Sequence, residues 1–122
     1  PNVLKNIFDS LLVGGHVMHL APSNNFVDHG FYQFSPTFFY DYYISNKFTD
    51  VQVQLVQITT DIDDHPWMFM NYKSGCLDKI STGGLDDKIY EVFVVARKTE
   101  ETTYNVIPTQ ATYANKLWQN KI

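Results

Sequence analysis

The sequence predicts a single α/β domain over residues 1–122, with helices flanking a small sheet. Three observations indicate this class. A helical segment leads through Gly14-Gly15 into a short apolar run, a polar loop leads into a Ser-Pro helix start, and two strand-like segments follow. A strand, a loop and a helix in this order place the loop at the carboxyl end of the strand, where open α/β sheets bind ligands.

The first helix and the first strand follow from two different patterns. From Asn2 to Leu12 the apolar residues recur with a 3.6-residue period, which predicts a helix with one buried face. Gly14-Gly15 then ends the helix, because glycines release the chain into a turn. The run His16 to Leu20 is short and mostly apolar, and it predicts a strand.

The second helix is marked at both ends. The Ser35 hydroxyl caps free amides, and Pro36 suits the first helical position, so a helix is predicted from Pro36 to Ser45. Asn46-Lys47 is the predicted stop, since asparagine tolerates the left-handed conformation that ends helices. Aromatic residues concentrate between Phe26 and Phe48. They form either a dense core or an aromatic-lined pocket.

Two further strands are predicted in the second half of the chain. Thr49 to Thr60 alternates valine and leucine with glutamine, as a half-buried strand does. Ile89 to Arg97 is apolar on both faces, which places it inside a sheet. Between them, Asp61 to Lys88 is expected to be a long connection with little regular structure. Ala111 to Gln119 is compatible with a short helix.

Composition excludes several classes of partner. The net charge is −4 and the nine basic residues are scattered, so a nucleic-acid backbone is not the expected partner. No apolar run reaches the roughly 20 residues that cross a bilayer, and we expect no membrane association. A single cysteine, Cys76, permits no internal disulfide and is expected to be a structural thiol. The cytoplasm is therefore the expected location.

The loop Ser23 to Phe39 concentrates the groups that suit ligand binding. Its amides, imidazole and phenol would lie at the ligand-facing edge of the sheet: Asn24, Asn25, His29, Tyr32 and Gln33. We interpret His29 as the candidate general base, because histidine is the side chain most often used for proton transfer near neutral pH, and the other four as substrate-binding residues. The alternative is that the two asparagines satisfy loop backbone and that His29 bonds locally beside Gly30.

Other clusters are weaker candidates. An acidic group follows the second strand, at Asp61, Asp63, Asp64 and His65. It lacks the spacing of a calcium loop and is expected to be a solvated turn. His16 and His19 would point to opposite faces of a strand, so no metal site is predicted there. The patch Trp67 to Met70 is a lid, a partner surface or, by preference, a small satellite core.

The segment from Leu11 to Phe48, LLVGGHVMHLAPSNNFVDHGFYQFSPTFFYDYYISNKF, resembles the carboxyl-terminal half of class I S-adenosylmethionine-dependent methyltransferases. The resemblance implies a partial Rossmann-like methyltransferase fold with a three-stranded mixed sheet. In that sheet Ile89 to Arg97 would lie centrally, antiparallel to both His16 to Leu20 and Thr49 to Thr60. The family binds S-adenosylmethionine through a glycine-rich turn of its amino-terminal half. This chain has no G-x-G motif, so no complete cofactor site is expected in it.

Two functions remain open from the sequence. The first is a methyltransferase fragment or truncated homologue that supplies the acceptor side of the site for a small or sugar-like substrate. The second is a catalytically inactive module that assembles with itself or with another protein. For either function we expect a homodimer or higher oligomer, or a separate amino-terminal half, because the His16 to Leu20 strand would have an open edge.

Overall fold

Two helices and four strands make up the part of the chain that the structure describes. The structure is a computed structural model and describes residues 2–59, 66–110 and 113. The elements are α1 (Asn2–Ser10), β1 (His16–Pro22), α2 (Pro36–Ser45), β2 (Thr49–Ile58), β3 (Met68–Tyr72) and β4 (Ile89–Arg97). The strands form one sheet in the order β1-β4-β2-β3. The α/β prediction is thereby confirmed, whereas a Rossmann-like relationship stays a prediction.

The prediction of a three-stranded mixed sheet is wrong. The sheet has four strands, and each neighbouring pair is antiparallel. The additional strand, β3, lies within the segment 61–88, which was expected to have little regular structure. It pairs with β2 from Val53↔Tyr72 to Gln57↔Met68. Its sequence gives little warning of this, because strand preference depends on the neighbours against which a segment packs.

The inner position of β4 is confirmed. It pairs with β1 on one side and with β2 on the other. Tyr90, Val92, Val94 and Ala96 alternate along one fully buried face, and the residues between them are half-buried except for Arg97 at the end. A strand that is apolar on both faces therefore occupies the place where both of its edges are paired.

Helix α1 ends at Ser10, two residues before the predicted end. Gly14, at φ +86°, then turns the chain toward β1, and Gly15 N–H donates to the Leu12 carbonyl at 2.9 Å. A Cβ on Gly15 would lie 2.9 Å from that same oxygen, so the turn requires glycine there. The Lys98 ammonium meanwhile donates to carbonyls at the end of the helix, Phe8 at 2.7 Å and Leu11 at 2.8 Å.

Helix α2 has the predicted bounds. The Ser35 hydroxyl accepts a hydrogen bond from Thr37 N–H at 3.3 Å, and Pro36 takes the first position. At the other end Lys47, at φ +58°, takes the left-handed conformation that was expected of Asn46. Several aromatic residues of this region are buried against the sheet: Phe39, Tyr42, Tyr43 and Phe48. For these residues the dense core, rather than a pocket, is the correct alternative.

The patch Trp67 to Met70 is not a satellite core. All four of its side chains are exposed, and three of them belong to the edge strand β3. The acidic cluster Asp61, Asp63, Asp64 and His65 lies outside the described residues. So does the expected helix Ala111 to Gln119, apart from Tyr113. Among the described helices none has the length and apolar character that a bilayer crossing requires.

Candidate functional site

A cavity of about 790 Å³ lies beside the loop that follows β1. Its walls come from residues 23–25, residues 33–37 at the start of α2, and the segment 75–86. Leu55 of β2, Tyr72 of β3 and Gln110 complete the described lining. A volume of this size matches the sites in which proteins hold small molecules. The cavity therefore occupies the position at which the sequence predicts ligand binding.

Asn24 lies in this cavity because its backbone extends the sheet. Its N–H donates to the Tyr90 carbonyl at 3.2 Å, and Tyr90 N–H donates back to the Asn24 carbonyl at 3.0 Å. Ser23 N–H shares the Tyr90 acceptor at 2.9 Å, so two residues of one strand face one of the other, as in a β-bulge. No described residue hydrogen-bonds the Asn24 side chain, which leaves its amide available to a ligand.

Asn25 has a mainly structural arrangement. It adopts φ +59°, a left-handed conformation that asparagine tolerates better than most residues. Its side-chain amide nitrogen donates to the Asp86 carbonyl at 2.9 Å and to the Lys88 carbonyl at 2.8 Å. These two bonds join the loop after β1 to the chain that enters β4. Asn25 thus fixes the shape of the cavity, and only its amide oxygen is left for a ligand.

Gln33 stands at the far end of the loop. Its side-chain oxygen accepts a hydrogen bond from Phe26 N–H at 3.3 Å, which closes the excursion between the two residues. The next residue, Phe34, donates its N–H to the Pro22 carbonyl at 2.7 Å and fixes the return of the chain to β1. The amide nitrogen of Gln33 has no bonding partner among the described residues. Asn24 and Gln33 are therefore the predicted residues best placed to bind.

His29 and Tyr32 lie outside the cavity lining. His29 is exposed, and its ring packs on Phe26 with centroids 4.4 Å apart. Its backbone N–H donates to the Phe26 carbonyl at 3.2 Å. Tyr32 is exposed, with its ring 6.4 Å from that of Phe34. Nothing in this arrangement places a reacting atom near the imidazole, and the catalytic role of His29 stays a prediction.

The opposite wall was missed in the sequence, since it belongs to the connection after β3. Its polar groups include Asp78, Ser81 and Asp86. Ser81 donates to the Asp78 carbonyl at 3.0 Å. The Asp86 carboxylate accepts from Tyr90 OH at 2.9 Å and from Lys88 N–H at 3.0 Å. Burial, reinforced by this carboxylate, raises the pKa of Tyr90 to about 12, so the phenol stays a donor. No motif in the sequence marks these residues.

Tyr72 connects the cavity to the core. It ends β3, is buried, and hydrogen-bonds the Thr37 hydroxyl in the first turn of α2. Burial raises the pKa of Tyr72, and its hydrogen bonds to Thr37 and Ser74 act in the opposite direction. Ser74 also donates to the Asp41 carboxylate at 2.6 Å. These contacts connect β3, which the sequence analysis did not predict, to α2, which it did predict.

The charge of the lining limits the ligands that it can accept. Of the described lining residues, Asp78 and Asp86 contribute carboxylates and none is Lys, Arg or His, while the Lys88 ammonium lies 3.9 Å from the Asp86 carboxylate and partly offsets its charge. A phosphate would therefore meet carboxylates in the described lining, whereas amides, hydroxyls and carboxylates suit a ligand rich in hydroxyl or amino groups. Within residues 2–59, 66–110 and 113, no group of three or more His, Cys, Asp or Glu side chains is arranged to hold a metal ion.

The glycine pairs do not form a nucleoside-binding turn. Gly14-Gly15 closes the turn between α1 and β1, where a Cβ on Gly15 would meet backbone. Gly84 packs on Ile80, and an added Cβ would lie 2.9 Å from the Ile80 Cα. Both pairs are used in closing local turns. The described residues thus do not fit the glycine-rich cofactor turn that the resemblance implies.

The remaining candidates are simple to place. His16 and His19 lie on opposite faces of β1, as predicted, because only His19 contacts α2 through Tyr43. Cys76 is an exposed free thiol beside a smaller cavity of about 290 Å³.

No protein-family model, curated protein or solved structure matches this chain. Functional inference therefore depends on the cavity and on the resemblance of residues 11–48.

Proposed function

We propose that this chain supplies the acceptor-substrate side of a methyltransferase site. The observation that carries the proposal is the cavity of about 790 Å³ after β1, whose lining includes Asn24, Asn25 and Gln33. These are three of the four residues that the sequence predicts to bind substrate. The Leu11 to Phe48 segment, which resembles the methyltransferase family, contributes the whole of that wall.

The acceptor in this proposal is a small neutral or cationic molecule that bears hydroxyl or amino groups, such as a sugar or an amino sugar. Asn24 and Gln33 offer amide groups that can donate to or accept from a hydroxyl. The carboxylates of Asp78 and Asp86 on the facing wall can accept hydrogen bonds from hydroxyl or amino groups and repel an anion, although Lys88 partly offsets the charge of Asp86. Methyl transfer depends on the alignment of an acceptor oxygen or nitrogen, so positioning groups of this kind are sufficient for the acceptor side.

The cofactor site in this proposal belongs to another polypeptide segment. S-adenosylmethionine would supply the methyl group, but the glycines described above do not form its expected turn. We therefore assign no step of the reaction to this chain beyond holding and orienting the acceptor. A cytoplasmic location belongs to the same proposal, and the free Cys76 is compatible with it.

Ligand titrations followed by NMR test the proposal. Neutral monosaccharides, amino sugars and sugar phosphates are added separately at millimolar concentration. We expect a neutral or amino sugar to shift the amide signals of Asn24 and Gln33 in a saturable way. Gln33→Ala should abolish this saturable shift. The matched control is Gln52→Ala, which changes an exposed glutamine of β2 outside the cavity. The absence of any saturable shift, or preference for the phosphates, would contradict the proposal.

A calorimetric titration with S-adenosylmethionine tests the assignment of the cofactor site. We expect no saturable binding to the isolated chain, because its glycine pairs close local turns. A dissociation constant in the micromolar range would show that the chain builds the cofactor site by itself. That result would overturn the division into an acceptor side and a separate cofactor side, and it would leave acceptor binding intact.

A second candidate function is self-assembly without catalysis. Strand β1 lies at an edge of the sheet, and Met18 and Leu20 on it are exposed. Edge strands normally carry charges or prolines that prevent pairing with another chain. This edge has none between residues 16 and 20. The exposed apolar edge favours an assembly module as the alternative to an acceptor-binding one.

A further inference from the structure

The unpaired backbone groups of β1 can be identified from the bonds of its neighbours. Ser23 N–H, just after β1, donates to the Tyr90 carbonyl at 2.9 Å, and Lys98 N–H donates to the carbonyl of Gly15, just before β1, also at 2.9 Å. Odd-numbered residues of β1 therefore direct their polar backbone groups toward β4, because these directions alternate along a strand. Even-numbered residues direct theirs outward. Phe34 N–H confirms the alternation, since it reaches the outward carbonyl of Pro22.

The Phe34 bond also limits the free edge. It occupies the outward side of β1 at Pro22 and holds the loop against that end of the strand. The outward N–H and C=O groups of His16, Met18 and Leu20 have no partner among the described residues. Five residues, 16–20, thus form a continuous unpaired template with no bulge in its pairing to β4.

The side chains of this template are compatible with pairing. Met18 is 69% exposed and Leu20 is 57% exposed, and both lie on the sheet face opposite α2. On β4 their neighbours are Val95 and Phe93, which are half-buried. An apolar strip therefore reaches the edge of the sheet. Such an edge, without a charge or proline in it, is a site for adding another strand.

We propose that two copies of this chain associate by antiparallel pairing of their β1 strands about a twofold axis at Met18. The inference rests on the second candidate function and is independent of methyl transfer. Because even-numbered residues face outward, Met18 pairs with Met18 of the second copy, and His16 pairs with Leu20 in both directions. Each of these pairs exchanges two backbone hydrogen bonds. The template is self-complementary because its free groups are symmetric about Met18.

This register also gives a favourable arrangement of side chains. The apolar pair Met18 and Val95 of one copy continues into the same pair of the other copy, on the same face. Arg97, the charged neighbour of His16 on β4, is placed at opposite ends of the paired strands in the two copies. Pairing centred on His16 would instead offset the two Met18 side chains by about 13 Å along the strands. The apolar strip would then be interrupted at the junction of the two sheets, which disfavours that alternative.

The other edge of the sheet, at β3, is a poorer template. The alternation of the ladder leaves only Phe69 and Asn71 with outward backbone groups in that strand. The Asn71 side chain is already bonded to Gln54 at 2.9 Å. Strand β3 therefore serves as the matched control for β1.

Light scattering coupled to size-exclusion chromatography then measures the mass of the 122-residue chain and of one proline variant in each edge.

We expect the unmodified chain to elute at twice its 14.1 kDa mass and Met18→Pro at 14.1 kDa. The proline removes an outward N–H and no bond within the monomer, so the fold is retained. Met18→Ala keeps the N–H and should stay dimeric, as should Phe69→Pro. An unmodified chain that is monomeric overturns both the pairing and the second candidate function. A dimer that Phe69→Pro dissociates and Met18→Pro does not moves the interface to β3 and overturns the pairing alone.

Disulfide trapping tests the register directly. In a Cys76→Ser background, Met18→Cys should form a disulfide-linked dimer under mild oxidation, since directly opposite residues have Cα atoms about 5.5 Å apart. Leu20→Cys alone should not, because two copies of residue 20 are offset by about 13 Å along the strands. A mixture of His16→Cys and Leu20→Cys should give the mixed dimer. Efficient trapping by Leu20→Cys with none by Met18→Cys would overturn the proposed axis.

Discussion

Nε2 of His19 on β1 and the phenol oxygen of Tyr43 on α2 form a hydrogen bond across the packed face of the sheet. The His19 ring also stacks on Phe39, with centroids 5.0 Å apart. Burial lowers the pKa of His19, and burial raises the pKa of Tyr43. Both groups are therefore neutral in the folded chain at neutral pH, and this contact joins the edge strand to the helix without an ion pair.

The stability of the fold should decrease as pH falls through the range in which His19 titrates. The unfolded chain binds a proton at this histidine below about pH 6.5, whereas the folded chain resists it because the folded pKa is lower. The contribution is complete above the unfolded pKa of histidine and declines as pH falls below it toward the lower folded pKa of His19. We expect His19→Gln to flatten the pH dependence of the free energy of unfolding in that range.

Urea unfolding at several pH values measures this effect. His16→Gln is the matched control, because His16 is exposed on the opposite face of the same strand. Its pH dependence should match that of the unmodified chain. Carboxylates contribute equally to all three proteins and cancel in the comparison. An unchanged slope in His19→Gln would show that the burial of this imidazole does not control the acid sensitivity of the fold.

The elements that depend on local signals were predictable from the sequence. Helix α2 has the expected bounds because Ser35 and Pro36 act at its start through contacts within one turn. Strand β4 is inner, as its run of valines indicates. The helical period of the apolar residues was also sufficient to predict α1, although the predicted end of the helix lies two residues too late. Helix ends depend on which carbonyls find other partners, and here Lys98 supplies one from a distant part of the chain.

The elements that depend on distant contacts were not predictable. Strand β3 pairs with β2, and only Phe69 and Tyr72 of its residues, MFMNY, belong to the types enriched in strands, a preference that depends on the neighbours. One wall of the cavity was predicted from the loop that contains Asn24 and Gln33. The facing wall, with Asp78 and Asp86, approaches it only through the fold. The hydrogen bond from Asn25 to the Lys88 carbonyl, before β4, spans 63 residues of sequence. Local sequence patterns do not report such a contact.

Asn46 should be a large contributor to stability. It is fully buried at the end of α2 and uses both ends of its amide. Its nitrogen donates to the Tyr42 carbonyl at 3.0 Å and to the Val106 carbonyl at 2.9 Å. Its oxygen accepts from the Thr103 hydroxyl and from Val106 N–H, both at 3.0 Å. Removal leaves several partly buried groups without this partner, so Asn46→Ala should cost about 2–4 kcal/mol.

Denaturant unfolding of Asn46→Ala beside Asn105→Ala checks this value. Asn105 is exposed and lies in the same segment that Asn46 holds, so its replacement should change stability by less than about 0.5 kcal/mol. Asn46→Asp should be at least as damaging as Asn46→Ala, because a carboxylate cannot donate to the two carbonyls. Stability losses below about 1 kcal/mol in both Asn46 variants would mean that the segment 103–106 is held by other contacts.

The loop after β1 should separate into structural and ligand-facing residues. Asn25→Ala removes two hydrogen bonds and places alanine at φ +59°, so it should cost about 1–3 kcal/mol. Asn25→Gly loses the same bonds without the strain and should cost less. Asn24→Ala and His29→Ala should each change stability by less than about 0.5 kcal/mol, because neither side chain hydrogen-bonds another described residue.

Thermal unfolding of the four variants gives the ranking. The decisive comparison is between Asn24 and Asn25, which are adjacent in sequence and identical in chemistry but differ in what their amides contact. If Asn24→Ala lowers the melting temperature as much as Asn25→Ala does, the Asn24 side chain supports the loop and is not available to a ligand. A small change for Asn24 together with loss of sugar binding would separate binding from folding at that position. His29→Ala extends the comparison to the exposed part of the loop, where packing on Phe26 is its one ring contact among the described residues.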